Sequence, residues 1–239
     1  MIYIVLPSYN EEKNLVKILN KIESLNKKIK LKVILVDDGS KDKTPKLAKK
    51  KYGFKLIYLK HTINKGLSIA LETGFKKIIK IGSKKDIIIT LDSDNTHPID
   101  LIIKMVHKIN NNNDIVIASR FQKESKVKGV TFFRKLMSNG AKYIFKIFFP
   151  FKNLNDYTCN YRAYKFELIK KLLQNKSFFK NEDFNIAAKI LLFMINEYKY
   201  LNLSELPFTL SYNYKIGQSK MKLIRTIVLT LRLIFFRKY

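Results

Sequence analysis

Two hydrophobic periods alternate along the first 120 residues. Short, nearly continuous apolar runs stand at Ile2 to Leu6, Leu31 to Val36, Phe54 to Leu59, Asp86 to Leu91 and Asp114 to Ala118. Segments with helical spacing separate them: Glu11 to Leu25, Lys43 to Lys51, Leu67 to Ile79 and Ile99 to Ile109. The last carries Ile99, Ile102, Ile103, Val106 and Ile109 three and four residues apart, with Pro98 where a first helical turn tolerates it. Unbroken apolar strands alternating with helices predict an α/β fold with a mostly parallel sheet covered on both faces. Ligands of such sheets bind beyond the carboxyl ends of the strands.

After Phe121 the pattern changes. A polar, Lys-rich loop over 122–131 leads into 132–149, a helix-period segment in which Phe132, Phe133, Phe145, Phe148 and Phe149 interleave with Arg134, Lys135, Lys142 and Lys146. A short strand is expected from Tyr157 to Tyr164, helices near 165–174 and 181–196, and a strand from Lys199 to Leu206. The tail, Ile224 to Tyr239, is apolar but broken by Arg225, Arg232 and Arg237. The expected organisation is one domain over 1–222, with a nucleotide-binding half at 1–121 and an acceptor-side half at 122–222, followed by a basic amphipathic tail at 223–239. No segment reaches the roughly 20 uninterrupted apolar residues that a spanning helix needs. Interfacial binding of 132–149 and 224–239 is therefore expected rather than spanning, the alternative being that their aromatics pack on the sheet or on a partner chain.

Composition adds a charge imbalance, 47 Lys plus Arg against 19 Asp plus Glu, a formal +28. That charge suits an anionic partner, and in the basic aromatic segments an anionic membrane surface. A lysine-rich composition filling ordinary solvent positions accounts for much of it equally well. No recognisable DNA- or RNA-binding motif is present, so a nucleic-acid partner is not expected. The single cysteine, Cys159, excludes an internal disulfide framework and suits a reducing compartment. Met1 to Leu6, followed by Pro7, reads as a strand rather than a signal peptide, and the basic aromatic segments suit a peripheral place on the cytoplasmic face of a membrane.

The candidate chemistry lies just after the strands. Asp92 and Asp94 follow the fourth apolar run, and in an extended chain side chains two apart point the same way. Two such carboxylates suit Mg2+ or Mn2+, cations that keep positions open for phosphate oxygens. Asp37-Asp38-Gly39-Ser40 follows the second run; its acids can accept hydrogen bonds from a nucleobase or ribose, while Gly39 permits a tight turn. Asn64-Lys65-Gly66 opens a helix, a natural phosphate neighbour. The stretch after the first strand, Pro7-Ser8-Tyr9-Asn10-Glu11, is not the Gly-rich basic loop expected of a nucleotidyltransferase.

In this order, these motifs resemble the family-2 glycosyltransferases of the GT-A fold. Later segments are similar to the dolichyl-phosphate mannose synthase and polyprenyl-phosphate glycosyltransferase group: Leu91 to Pro98, Ala118-Ser119-Arg120-Phe121, Phe133 to Ala141, Asp156 to Arg162, and Gly217-Gln218-Ser219-Lys220. The resemblance spans roughly 2–222. It implies an inverting transfer from a GDP- or UDP-linked sugar to a polyprenyl or dolichyl phosphate. Pro7, Tyr9, Glu11, Asp37, Asp38 and Gly66 would surround the donor, and Asp92 and Asp94 would hold the cation. Arg120, Arg134 and Ser138 match the positions that hold the acceptor phosphate, and with Asp94 they make up the catalytic set that the resemblance implies. It also leaves room for a separate membrane-anchor or flippase protein.

Where the group has Arg, this chain has Tyr214, so Lys215 and Lys220 become candidates for positive charge near the diphosphate. Cys159 and Asn160 replace Ser and Gly of the group's pattern; Asn tolerates the left-handed backbone a Gly would take, and Cys159 reads as a packing residue. His97 reads as shaping the turn before Pro98, with metal ligation the rarer alternative, and His61 and His107 read as solvated. Glu182-Asp183 has two open readings: acids favoured at a helix start, or the base of an enzyme acting on a hydroxyl acceptor in surface-glycan or lipid-linked oligosaccharide synthesis.

Overall fold

The computed structural model describes residues 1–179, 185–214, 216 and 223–236. The first half runs β1 (Ile2–Ser8), α1 (Glu12–Asn26), β2 (Leu31–Asp37), α2 (Thr44–Ala48), β3 (Lys55–Lys60), α3 (Leu67–Ile81), β4 (Ile87–Thr90), α4 (Leu101–Asn110) and β5 (Ile115–Ser119). The second runs β6 (Lys126–Lys128), α5 (Phe132–Phe148), β7 (Arg162–Lys165), α6 (Phe166–Leu172), α7 (Ile186–Glu197), β8 (Leu203–Pro207), β9 (Thr209–Ser211) and α8 (Leu223–Phe236). Seven strands form one sheet in the order β3-β2-β1-β4-β7-β5-β8, and β6 pairs with β9 in a small second sheet.

The expected mostly parallel sheet is present. β1 pairs in parallel with β2 and β4, β2 with β3, and β5 with β8. Strand order turns back at β1, because β2 and β3 build outward on one side and β4 lies on the other. Such a reversal opens a crevice at the carboxyl ends of the two strands on which it falls. Here those ends carry Pro7 to Asn10 and Leu91 to Asp94.

The helices are fixed more by the sheet than by their own ends. α1 has no side-chain cap at its start, yet it buries Leu15, Ile18, Leu19, Ile22 and Leu25. Each such side chain contributes about 2 kcal/mol on burial, more than a typical missing cap costs. α3 lies against β1 and β2 through Ala70, Leu71, Phe75 and Ile78. From Ile186 to Met194 every residue of α7 is buried, including Lys189, whose Nζ donates to the Phe178 carbonyl; the rest of that stretch is apolar on every side.

Four expectations change. The strand expected over 157–164 shrinks to β7, which runs antiparallel to both β4 and β5. The residues before it, 155–161, instead form an irregular segment at the mouth of the crevice. The helix expected over 43–51 is only the short α2. The pair β6 and β9, three residues each, was too short to carry a period. His61 is not solvated: it is 9% exposed and hydrogen-bonded on both ring nitrogens. Among the described residues no helix is long and apolar enough to cross a membrane.

Gly74 marks where α3 approaches the sheet most closely. A Cβ there would lie 2.6 Å from Cγ1 of Val5 and 3.4 Å from Cγ2 of Val36. Both neighbours are buried, β-branched and stiff. Gly74→Ala should therefore destabilise the protein by about 1 to 2 kcal/mol, overpacking outweighing the gain in helix propensity. Urea unfolding checks this, and an increase in stability would show that the interface yields.

Candidate active site

The acids after β2 are held by different partners. Oδ1 of Asp37 accepts the N–H of Ser40 at 2.9 Å, and Oδ2 accepts the hydroxyl of Tyr58 at 2.7 Å. Burial first, and then Asp37, push the Tyr58 hydroxyl's pKa up, which keeps it a donor. Asp38 receives the backbone N–H groups of Lys65 and Gly66 at 2.9 and 2.8 Å, and His61 Nδ1 lies 2.7 Å from its Oδ1. His61 Nε2 then meets Thr73 of α3 at 2.9 Å. Asp38 thus organises the turn that opens α3. Gly66 takes a φ of 87° there. Gly39 is equally constrained: its φ is +75°, and a Cβ would lie 2.5 Å from the carbonyl carbon of Ile63.

Glu11 is buried at the start of α1. Its N–H donates to Thr44 Oγ1 at 2.8 Å, and its Oε2 accepts from Asn14 Nδ2 at 2.7 Å. The same Asn14 amide grips the backbone of Ile216, donating to its carbonyl at 3.1 Å and accepting its N–H at 3.0 Å. Pro7, one residue before the end of β1, accepts Ser93 Oγ on its carbonyl at 2.8 Å, so β1 and the loop after β4 are joined across the crevice. Tyr9 follows directly on β1. Lys215 and Lys220, together with Glu182 and Asp183, lie outside the described residues.

β4 ends at Thr90, so Asp92 and Asp94 sit on a turn and strand alternation is not what brings them together. Asn95 adopts a φ of 63°, and Asp94 Oδ1 accepts from both the N–H and the hydroxyl of Thr96. Asn160, whose φ is not positive, points its amide to Asp92 Oδ1 at 3.1 Å rather than filling the place of a glycine. His97 joins the pair: one ligand atom from each of Asp92, Asp94 and His97 lies within 4.8 Å of the others. The His97 ring packs 5.0 Å from Tyr161 and 5.8 Å from Phe208, and its buried Nδ1 has no hydrogen-bond partner. Two carboxylates and an imidazole with an orphaned ring nitrogen fit a divalent cation.

Arg120 follows β5. Its N–H and Nε donate to Asp156 Oδ2 at 2.9 and 2.8 Å, while Nη2 donates to Asp156 Oδ1 at 2.7 Å and also to Thr158 Oγ1. Asp156 is wholly buried. Burial opposes its charge most strongly, but Arg120's charge and hydrogen bonds, with backbone donors, outweigh that and hold its carboxyl below the usual value. Burial likewise acts against the Arg120 charge, and Asp156 more than restores it. The Nε and Nη2 donors of the guanidinium are committed, which leaves the Nη1 side for a ligand.

Arg134 and Ser138 lie one turn apart on α5, and Lys142 continues the same stripe. Lys142 Nζ sits 5.0 Å above the Phe121 ring, and the Arg120 guanidinium is 5.5 Å from that ring. Phe121 therefore links the α5 stripe to Arg120. Lys142 was missed from sequence, although its i, i+4, i+8 spacing from Arg134 was a usable signal. At 100° per residue, Phe132, Leu136, Tyr143 and Ile147 fall on the opposite side of α5. They are 82%, 56%, 61% and 73% exposed, whereas Phe145, on the cationic side, is buried.

A sheet that reverses at β1, with acids gathered at that reversal, defines the GT-A class of fold. Solved structures of glucosyl-3-phosphoglycerate synthase from Mycobacterium tuberculosis, in complex with Mn2+, UDP and phosphoglyceric acid, share it with a TM-score of 0.66 at 15% identity, over 97% of this chain and 77% of theirs. Residues 3–173 match glycosyl transferase family 2, and the chain belongs to that family. Dolichol-phosphate mannosyltransferase of Pyrococcus furiosus is 32% identical over 223 residues, covering 92% of this chain and 58% of that protein. UDP-N-acetylglucosamine--dolichyl-phosphate N-acetylglucosaminyltransferase of Methanococcus voltae is 33% identical over 159 residues, 60% of this chain and 61% of its own. The chain thus spans about three fifths of the length of these two relatives.

The ion pair makes stability depend on pH in one direction. The Asp156 pKa falls below its ordinary 3.8 on folding, so its contribution is complete above that value and is lost as pH drops through the folded pKa. Asp156→Asn should cost about 3 kcal/mol near neutral pH, because it leaves Arg120 unpaired, and the gap to wild type should narrow as pH falls below 3.8. Urea midpoints across the pH series check this; a gap that stays constant as pH falls through and below that value would exclude the charge as its source.

Proposed function

We propose that the chain transfers a sugar, with inversion, from a GDP- or UDP-linked donor to a polyprenyl phosphate at the cytoplasmic face of a membrane. One observation carries the reading. Lys142 of α5 meets the Phe121 ring that Arg120 also contacts, Arg134 and Ser138 share its helical stripe, and four exposed apolar side chains lie on the opposite face. A lipid phosphate needs that division, with cations for its headgroup and an apolar surface where its chain leaves the bilayer. Names of relatives that act on dolichyl phosphates support the same acceptor.

The donor's base and ribose would occupy the crevice beside Pro7, Tyr9, Glu11 and Asp37, with Asp38 and Gly66 shaping its far wall. Asp92, Asp94 and His97 would hold Mg2+ or Mn2+, which supplies neutralisation of the departing diphosphate. Arg134, Ser138, Lys142 and the Nη1 side of Arg120 would orient the acceptor. Its phosphate oxygen forms a bond to the anomeric carbon as the bond to the diphosphate breaks, and the bonding pair leaves with the nucleoside diphosphate. A phosphate monoester is already anionic at neutral pH, so no side-chain base is required. Positioning and charge stabilisation supply the rate. Lys215 and Lys220 are proposed to add positive charge near the diphosphate.

The exposed stripe of α5 and the basic charge together favour docking on anionic lipid. α8 buries Leu233 and Ile234 and exposes Val228, Leu231 and Arg232, so it both packs on the domain and offers a second amphipathic surface. A membrane-anchor or flippase protein is a compatible further partner.

Transfer of radiolabelled sugar from GDP- and UDP-linked donors to polyprenyl phosphate in detergent, with Mn2+, tests the reading. Asp94→Asn should lower turnover at least 100-fold, by about 3 kcal/mol of lost charge stabilisation. Arg134→Ala should raise the acceptor KM about tenfold while leaving the donor KM in place. Transfer confined to hydroxyl acceptors, lost on Asp183→Ala and retained in Arg134→Ala, would overturn the lipid-phosphate assignment.

A further inference from the structure

We propose that Glu205 is a positioning residue for acceptor capture: it fixes the backbone of Asp156, and Asp156 in turn fixes the Arg120 guanidinium. The proposal rests on the acceptor role given to Arg120 above. Glu205 lies on β8 opposite Ile117 of β5, and two residues further on Pro207 pairs with Ser119, the neighbour of Arg120. Its carboxylate gathers two separate pieces of chain, 155–156 and Gln122. Oε1 accepts the N–H of Asp156 at 2.6 Å and of Asn155 at 2.8 Å. Oε2 accepts Gln122 Nε2 at 2.6 Å and Asn155 Nδ2 at 3.3 Å.

The two carboxylates act in series. Glu205 holds the main chain of Asp156, while the side chain of Asp156 holds both the main chain and the guanidinium of Arg120. It also takes the N–H groups of Thr158 and Cys159, so the whole 155–159 turn is cinched around it. Among the described residues Glu205 forms no salt bridge; its donors are neutral amides. An ionised acceptor receiving two backbone N–H groups is a strong and directional clamp. A half-buried carboxylate spent wholly on a loop is costly unless that loop must be held in one place. The held element is Arg120, which has only its Nη1 side left for a ligand, so a small rotation of the guanidinium would turn that side away. Misplacement by about 1 Å is enough to cost two orders of magnitude in a positioned reaction.

The test uses the full chain and two readouts. Glu205→Ala removes all four acceptor contacts. Glu205→Asp shortens the reach by one methylene and serves if the alanine variant does not fold. Glu205→Gln keeps an Oε1 that can still accept both backbone N–H groups, and the Gln122 amide can turn to suit it. The first readout is hydrogen exchange at the Arg120 Nε–H, assigned by its absence in Arg120→Ala. It is expected to be slow in wild type and Glu205→Gln, and about tenfold faster in Glu205→Ala or Glu205→Asp. The second is the KM for polyprenyl phosphate, expected to rise about tenfold in Glu205→Ala, with the donor KM unchanged, and to rise no further when Glu205→Ala is added to Arg120→Ala.

Unchanged Nε–H exchange overturns the proposal, as does an equal loss with and without Arg120. So does a rise in donor and acceptor KM together with a lowered Tm, the pattern of a merely structural residue. If the wild-type chain does not use polyprenyl phosphate, the acceptor reading fails on its own, and the Nε–H exchange still decides whether Glu205 positions Arg120.

Discussion

The site depends on one strand running the wrong way. β7 lies antiparallel between β4 and β5, so the chain that enters it arrives at the carboxyl ends of its neighbours rather than at their starts. Asp156, Thr158 and Asn160 are thereby delivered to the crevice. Asn160 meets Asp92 after β4, and Asp156 meets Arg120 after β5. A parallel strand in that place would have brought residues 155–161 in from the opposite edge of the sheet. The buried Arg162 pins the arrangement by donating to the carbonyls of Tyr157 and Ala187, tying the turn to α7.

Around that delivery, the acids divide into those that can meet a ligand and those that build the site. Asp38, Asp156 and Glu205 spend their oxygens largely on backbone N–H groups and fixed side chains. Asp92 and Asp94 converge with His97 on a point of suitable size for a cation. The building acids sit deep or among neutral donors, so their charge acts through hydrogen bonds to the chain itself.

α5 applies the same logic at the surface. Its start is capped by Thr131, whose hydroxyl accepts the Arg134 N–H. Its inner stripe meets the domain through Phe145 and Phe121, and its outer stripe is left uncovered. An amphipathic helix normally turns its apolar stripe to the core. Here the apolar positions divide between Phe145 and Ile144, which pack on the core, and a broad exposed band outside.

Much of this was legible in the sequence. The period-switching of the first 120 residues marked the five strands, their mostly parallel pairing and the helices between them except for the length of α2, because a sheet covered on both faces needs unbroken apolar runs. The strand-end position of Asp37, Asp38, Asp92, Asp94 and Arg120 was equally visible, since polar residues directly after an apolar run mark the strand's mouth. Local pattern carries no record of partners far along the chain. His61 looked solvated because Asp38 and Thr73 lie 23 and 12 residues away. Glu205 drew no notice because the turn it clamps is 49 residues distant. The antiparallel β7 and the pairing of Asp156 with Arg120 were settled only by tertiary structure, where strand direction and burial decide which charges meet.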